Sequence, residues 1–538
     1  MAFLALAIAV IPPTLRGDDR YPLRPDLSTF HWDVTTQSSE AQKYFDQGMA
    51  LYYGFNHDAA IASFKEAVNL DQGFAMAWWG QAISAGPNIN NAAMDSTASR
   101  NASEAVLRAV ALSSGASPLE QALIGALTSR YVWPPPDDRK SLDIAYADAM
   151  RKVWHQFPDN PEAGALFADA AMNLRPWDLW TPDGRPQPGT PEIVATIEKV
   201  LEMVPDHPGA CHFYIHTMEA SPTPEKALPA ADRLRNRIPG ASHLVHMPSH
   251  IDIRVGHYDD AIKANRRASE VDSAWGLQPG FFALYRAHNL HFLAYAAMFE
   301  GRRALALKAA NDMVRLIPLE VVRQYIDFLD GFPSVTTHVM VRFGMWEELV
   351  NAPKPPDDLL VTTSAWHYGR TVAFAALGKV DESAAEYAEL KKSYEAIPES
   401  RLIGNNSART VMRIGLTMAE GEMEYRKGNH DRAFSLLREA VTMDDSLRYD
   451  EPWGWMMPVR HALGALLLEQ DRVEEAMAVY EKDLSLHPEN GWALKGLMEC
   501  HKMSGQTEKE KDLSERFRKS WARADIDIKA SCYCRTGM

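Results

Sequence analysis

An all-α fold, a solenoid of stacked helix–turn–helix units wound as a right-handed superhelix, is predicted from three observations. Small and bulky residues recur at one spacing in separate segments: Gly48, Ala60, Phe64 and Ala67, then Gly421, Ala433, Leu437 and Ala440, then Gly464, Ala476 and Tyr480. Histidines recur at a repeat-length interval, since His246 and His250 follow His212 and His216 by 34 residues, about one helical hairpin. No segment sustains period-two alternation, so strands are not expected.

The elements follow in order. Phe3 to Ile11 is an apolar run of signal-peptide length, with no Lys or Arg before it and Pro12-Pro13 after it; it is too short to span a bilayer. Residues 1–18 are therefore expected outside the repeats, as a leader or signal remnant, which leaves localisation open between cytoplasm and export. An extended segment, 19–39, precedes helix pairs over 40–522, and 523–538 forms a tail carrying Cys532 and Cys534. Trp133-Pro134-Pro135-Pro136, Thr181 to Pro191 and Pro353 to Asp358 read as loops, because proline cannot continue a helix. Gly256 and Gly301, equivalent turn residues, lie 45 apart, so an insertion is expected near Asp272 to Pro279.

Composition excludes some partners. The 538 residues are 46% apolar, enough for a continuous core, and 71 acidic against 56 basic residues give a net charge of −15. That balance argues against nucleic acid or an anionic membrane, both of which require a basic face. Four cysteines are too few for a disulfide framework in a chain this long.

The 34-residue interval and the small–aromatic spacing resemble the tetratricopeptide repeat. The strings His207-Pro208-Gly209-Ala210 to Glu219 and His246-Met247-Pro248-Ser249-His250-Ile251, with the tail Ser531 to Cys534, are similar to those of a set of bacterial and fungal tetratricopeptide-repeat proteins. That likeness runs from about Phe30 to Cys534; it supports the fold and supplies no reaction. It implies that the second, fifth, ninth and twelfth places of a repeat's first helix face a concave groove. Counted from Ala261, the helix starting near Ser242 puts His243, His246 and His250 at the second, fifth and ninth. In the preceding repeat His212 and His216 take the fifth and ninth and Glu219 the twelfth. In the following one His288 and His291 take the second and fifth and Tyr295 the ninth, and His461 takes the fifth place of a later repeat.

A lone buried histidine is ordinarily a hydrogen-bonded core residue, but many facing one groove would leave ring nitrogens unsatisfied without a ligand. Clustered imidazoles suit a transition metal ion, with copper or iron favoured and zinc acceptable. His212, His216, His246 and His250 are the central ligand set, with His243, His288 and His291 beside them. Glu219 is read as a further ligand or as the general base for a metal-bound water. Tyr285, Tyr295 and Arg254 are placed to orient substrate. The zinc-protease string His-Glu-x-x-His is absent. The resulting expectation is a metal-dependent enzyme acting on a small molecule in the groove, an oxidoreductase before a hydrolase. The alternatives are a non-catalytic adaptor for a peptide or protein partner, and a metal carrier or store.

Other residues carry weaker signals. Cys532-Tyr533-Cys534 suits a soft ion such as Cu(I) or a redox pair, against an exposed, inert tail. Cys211 is read as packing. Asn173 to Trp177 and Arg448 to Trp453 are candidate pocket lids or inter-repeat caps. His57, His257 and His430 share a turn position at which they face solvent or cap the second helix.

Overall fold

The computed structural model describes residues 21–276 and 282–536. The expected leader, Met1 to Asp18, lies outside the described residues. The chain forms two compact units, Met1–Ile251 with Ala264–Arg286, and Asp252–Lys263 with Ala287–Met538.

Among the described residues both units are helical, and the only strands form one short hairpin, Leu402–Ile403 against Asn406–Ser407. In the first unit Ser39–Tyr53 pairs with His57–Leu70, Ala75–Ser84 with Ser96–Leu112, and Pro161–Met172 with Thr190–Met203. In the second, the same device runs through Leu360–Ala376 with Val380–Glu395, Ala408–Arg426 with His430–Asp445, Val459–Glu469 with Val473–Leu486, and Gly491–Met503 with Thr507–Ser520.

The repeat spacing has a direct packing cause. The Phe64 ring is wedged between two first helices, so that a Cβ on Gly48 would lie 2.6 Å from it and one on Gly80 2.5 Å. The Tyr480 ring is held the same way between Gly464 and Gly496. Only glycine admits an aromatic ring at such a helix crossing.

Helix starts follow local chemistry. Ser38, Asp95, Ser117, Asn160 and Asn490 each accept a backbone N–H from the first helical turn, satisfying donors that have no intrahelical partner. Pro118 and Pro161 follow their caps at the first position, where a missing N–H costs nothing.

Two expectations are corrected. The helix expected from Ser242 through His250 is interrupted at Met247, giving Ser242–His246 and Pro248–Val255, because Pro248 has no N–H to continue the ladder. The insertion near Asp272 begins as a continuation of the helix Tyr258–Trp275, and residues 277–281 lie outside the described residues.

Candidate metal centre

The string His207-Pro208-Gly209-Ala210 acts first as a helix start. His207 Nδ1 accepts the Ala210 N–H at 3.0 Å, Pro208 occupies the first helical position, and the His207 Nε2 meets Glu162 at 3.1 Å. Gly209 lies against the Tyr53 ring, where any side chain would collide. Tyr53 is thereby held over the helix Pro208–Met218, and its backbone carbonyl accepts the His212 Nδ1–H at 2.6 Å. The glycine and the first candidate histidine are thus parts of one contact.

Four histidines have their Nδ1 committed in this way. His216 Nδ1 donates to Glu219 Oε1 at 3.0 Å and His250 Nδ1 to Glu219 Oε2 at 2.6 Å. His246 Nδ1 donates to Asn265 Oδ1 at 2.7 Å. A proton held on Nδ1 leaves the neutral ring's lone pair on Nε2, the tautomer that binds metals. The His246 and His250 Nε2 atoms face each other at 2.7 Å. The Nε2 atoms of His212 and His216 are buried with no hydrogen-bond partner among the described residues.

Five of the first unit's imidazoles close a circuit. Ring centroids lie 4.8 Å apart for His212–His216, 5.5 Å for His216–His250, 4.7 Å for His250–His246, 5.8 Å for His246–His243 and 5.0 Å for His243–His212. Candidate ligand atoms of His212, His216 and His243 lie within 4.8 Å of one another. Two nitrogens on one zinc-sized ion are at most about 4.2 Å apart, so a small side-chain rotation closes the set.

Glu219, expected as a ligand or base, lies with His216 and His250 in a group whose ligand atoms fall within 4.8 Å of one another. Both its oxygens accept imidazole N–H groups, so it sits behind the rings, fixing their tautomer. Burial holds His212 far below the usual histidine range and His216 down to about 3, so both are neutral at pH 7. The imidazoles and Glu219 are at most 4% exposed. They form an enclosed centre where an open groove was expected.

Two aromatic residues wall the centre: Phe55, which the sequence did not single out, and Trp177, which it placed in a candidate pocket lid. Phe55 lies 4.5 Å from His212, 5.5 Å from His243 and 6.0 Å from His216 between ring centroids, and Trp177 lies 5.6 Å from His216. Phe55 has φ +53° and Trp177 φ +59°, a left-handed backbone that bulky residues avoid and that marks functional sites. The sequence signal available was a bulky residue in a tight turn, after Gly54 in one case and Pro176 in the other. Tyr285, expected to orient substrate, stands 4.3 Å from the His243 ring and accepts from Asn90 at 3.3 Å.

The remaining expected residues belong to the second unit. His288 packs by Phe292 and His291 by Phe332; His291 Nε2 has no hydrogen-bond partner among the described residues. Tyr295 packs on Phe299, and Arg254 lies over Tyr449. His461 donates to Asp483 at 2.8 Å and accepts from Arg342 at 3.0 Å, so both its nitrogens are committed. In the same unit Arg448 N–H donates to Asn406 and Trp453 to Asp444, which makes that segment a brace. His57 and His430, expected at the solvent or as caps, instead stack on Tyr52 and Tyr425; His257 is exposed. Cys211 is buried, as expected of a packing residue.

No protein-family model and no curated protein matches the chain. Among solved structures it is similar to a monomeric mutant of IFIT1 with Gppp-AAAA, at 11% identity over 93% of this chain and 96% of that one, with a TM-score of 0.32. It is also similar to a human IFIT1 dimer with PPP-AAAA, at 12% identity over 90% and 91%, with a TM-score of 0.31. A third is the APC/C hetero-tetramer Cut9-Hcn1, at 13% identity over 90% and 76%, with a TM-score of 0.31. At these values nothing about function transfers to this chain. No helix among the described residues is long and apolar enough to cross a membrane.

Proposed function

We propose that the first unit binds a transition metal ion through Nε2 atoms of His212, His216, His246 and His250, with His243 beside them. On this reading the protein is a metal-dependent enzyme acting on a small molecule. The observation that carries it is a shared orientation: four rings each donate Nδ1–H to a protein oxygen, and the Nε2 atoms of His212 and His216 are left buried without a hydrogen-bond partner among the described residues. An ion would satisfy those buried nitrogens, and a positive charge is favoured close to the Glu219 carboxylate. An all-imidazole set suits copper, iron or zinc, with the two redox metals favoured.

The adaptor reading draws on the scaffold, since stacked repeats commonly present concave binding surfaces. Burial weighs against these histidines serving it, because a peptide cannot reach side chains at most 4% exposed whereas an ion can. Elemental analysis of protein purified without chelators is the test. Copper, iron or zinc in stoichiometric amount is expected, and a metal-free protein that takes up none overturns the reading in favour of the adaptor. Bound metal without turnover across small redox substrates would instead favour a carrier or store.

A further inference from the structure

The Cys-x-Cys tail is not a free tail. Cys532 and Cys534 are joined as a disulfide, Cys532 half-buried and Cys534 buried. The segment leading to them is anchored within the second unit. Asp525 accepts the backbone N–H groups of Arg303 and Ala304 at 2.7 and 2.9 Å. The Ser531 hydroxyl, fully buried, donates to the His461 carbonyl at 2.7 Å and lies 2.6 Å from the Tyr480 hydroxyl. Past the pair, Arg426 donates to the Cys534 carbonyl, and Arg535 pairs with Glu499 at 2.9 Å.

The surroundings of the sulfurs are those of a reactive pair. Both line a small cavity of about 40 Å³ together with Arg342, Glu422, His461 and Tyr368, which is room for two or three waters. Glu422 is paired with Arg426 at 2.8 Å; the Arg342 guanidinium that also lines the cavity lies over the Trp492 ring and donates to His461 Nδ1 and the Ser531 carbonyl. The Cys534 N–H donates to Cys532 Sγ at 3.1 Å. A backbone N–H stabilises a thiolate on the sulfur it meets, here Cys532, the sulfur freed when a mixed disulfide at that position is resolved, and a cation lining the cavity favours a thiolate within it.

We propose that Cys532 and Cys534 are a redox-active pair that exchanges with thiols such as glutathione, with Cys532 as the sulfur attacked. A thiolate RS⁻ attacks the half-exposed Cys532 Sγ, the Cys532–Cys534 bond breaks, and Cys534 leaves as a thiolate in the cavity beside Arg342. A second RS⁻ attacks the R-bearing sulfur of the mixed disulfide, releasing RSSR and the Cys532 thiolate. Two electrons and two protons pass from two RSH to the protein, and oxidised glutathione drives the reverse. The anchors at Ser531 and Arg426 keep the pair in place in both states.

The test uses the full native chain equilibrated at a series of reduced-to-oxidised glutathione ratios, quenched with iodoacetamide and mapped by peptide mass spectrometry. Cys532 and Cys534 should become alkylated together, reversibly with the ratio, while buried Cys211 and Cys500 remain unlabelled. Cys534→Ser should retain glutathione on Cys532, whereas Cys532→Ser should take up little on Cys534. A pair reducible only after denaturation, or thiols that stay reduced in oxidised glutathione, would overturn the proposal. Equal glutathione uptake by the two single variants with native circular dichroism would do the same.

Discussion

Glu219 controls the candidate centre through protons. Its two oxygens each hold an imidazole N–H, so Glu219→Gln keeps the shape but turns one acceptor into an N–H₂ donor. One of His216 and His250 must then carry its proton on Nε2, where it blocks a metal. Partners of this kind are typically worth 10–100-fold in metal affinity, and a fall of about that size is expected in competition with a chromogenic chelator. Unchanged affinity would reduce Glu219 to a packing residue. His246→Ala should lower metal content while leaving the far-ultraviolet dichroism intact, since His246 is the last residue of a five-residue helix and its truncation removes little helical structure. Full occupancy in that variant would exclude His246 as a ligand. The histidines of this site were legible in the sequence because a ligand set needs one rare residue type at helical spacing. Phe55 was not, because its role depends on a backbone angle, whereas Trp177 was singled out only as part of a lid or cap segment.

At the level of elements, the hairpins are held by rings seated on glycine. Gly464→Ala would put a Cβ 2.5 Å from the Tyr480 ring, and overpacking of this kind costs about 1–3 kcal/mol. The urea midpoint should fall accordingly. An unchanged midpoint would mean that the hairpin relaxes without loss. The packing glycines and alanines were readable because each must be small in every repeat. The break at Met247 was signalled by Pro248 yet overlooked, since the histidine spacing continues through it. Gly80 and Gly496 were overlooked because each belongs to the repeat after the ring it receives.

Across the whole molecule, burial sets the response to pH. His338 is 4% exposed, and burial lowers its pKa from 6.5 to about 4. The unfolded chain therefore takes up a proton below pH 6.5 that the folded chain refuses, and stability is lost as pH falls from there toward 4. For this one residue the loss reaches about 3 kcal/mol. Denaturant midpoints should decline over that window, less steeply in His338→Gln; identical slopes would show that His338 does not carry the effect. Metal should act in the opposite sense, because a ligand bound only by the folded state stabilises it by about 2.7 kcal/mol at a hundredfold excess over Kd. Chelation should lower the melting temperature of the metal-loaded chain, and an unchanged value would argue against a folded-state site.

Local rules sufficed for the helices, their starts and the hairpin spacing, because each depends on neighbours a few residues away in the chain. The concentration of imidazoles was also visible, since the repeat period places equivalent residues on adjacent helices. Long-range contacts decided what the imidazoles do. Tyr53 and Asn265 lie far from the histidines they hold, and no spacing rule announces which nitrogen keeps the proton. Burial of the centre and seating of the Cys532–Cys534 tail likewise come from distant segments closing around them. Tautomer and solvent access are properties of a packed environment, and only the folded chain supplies one.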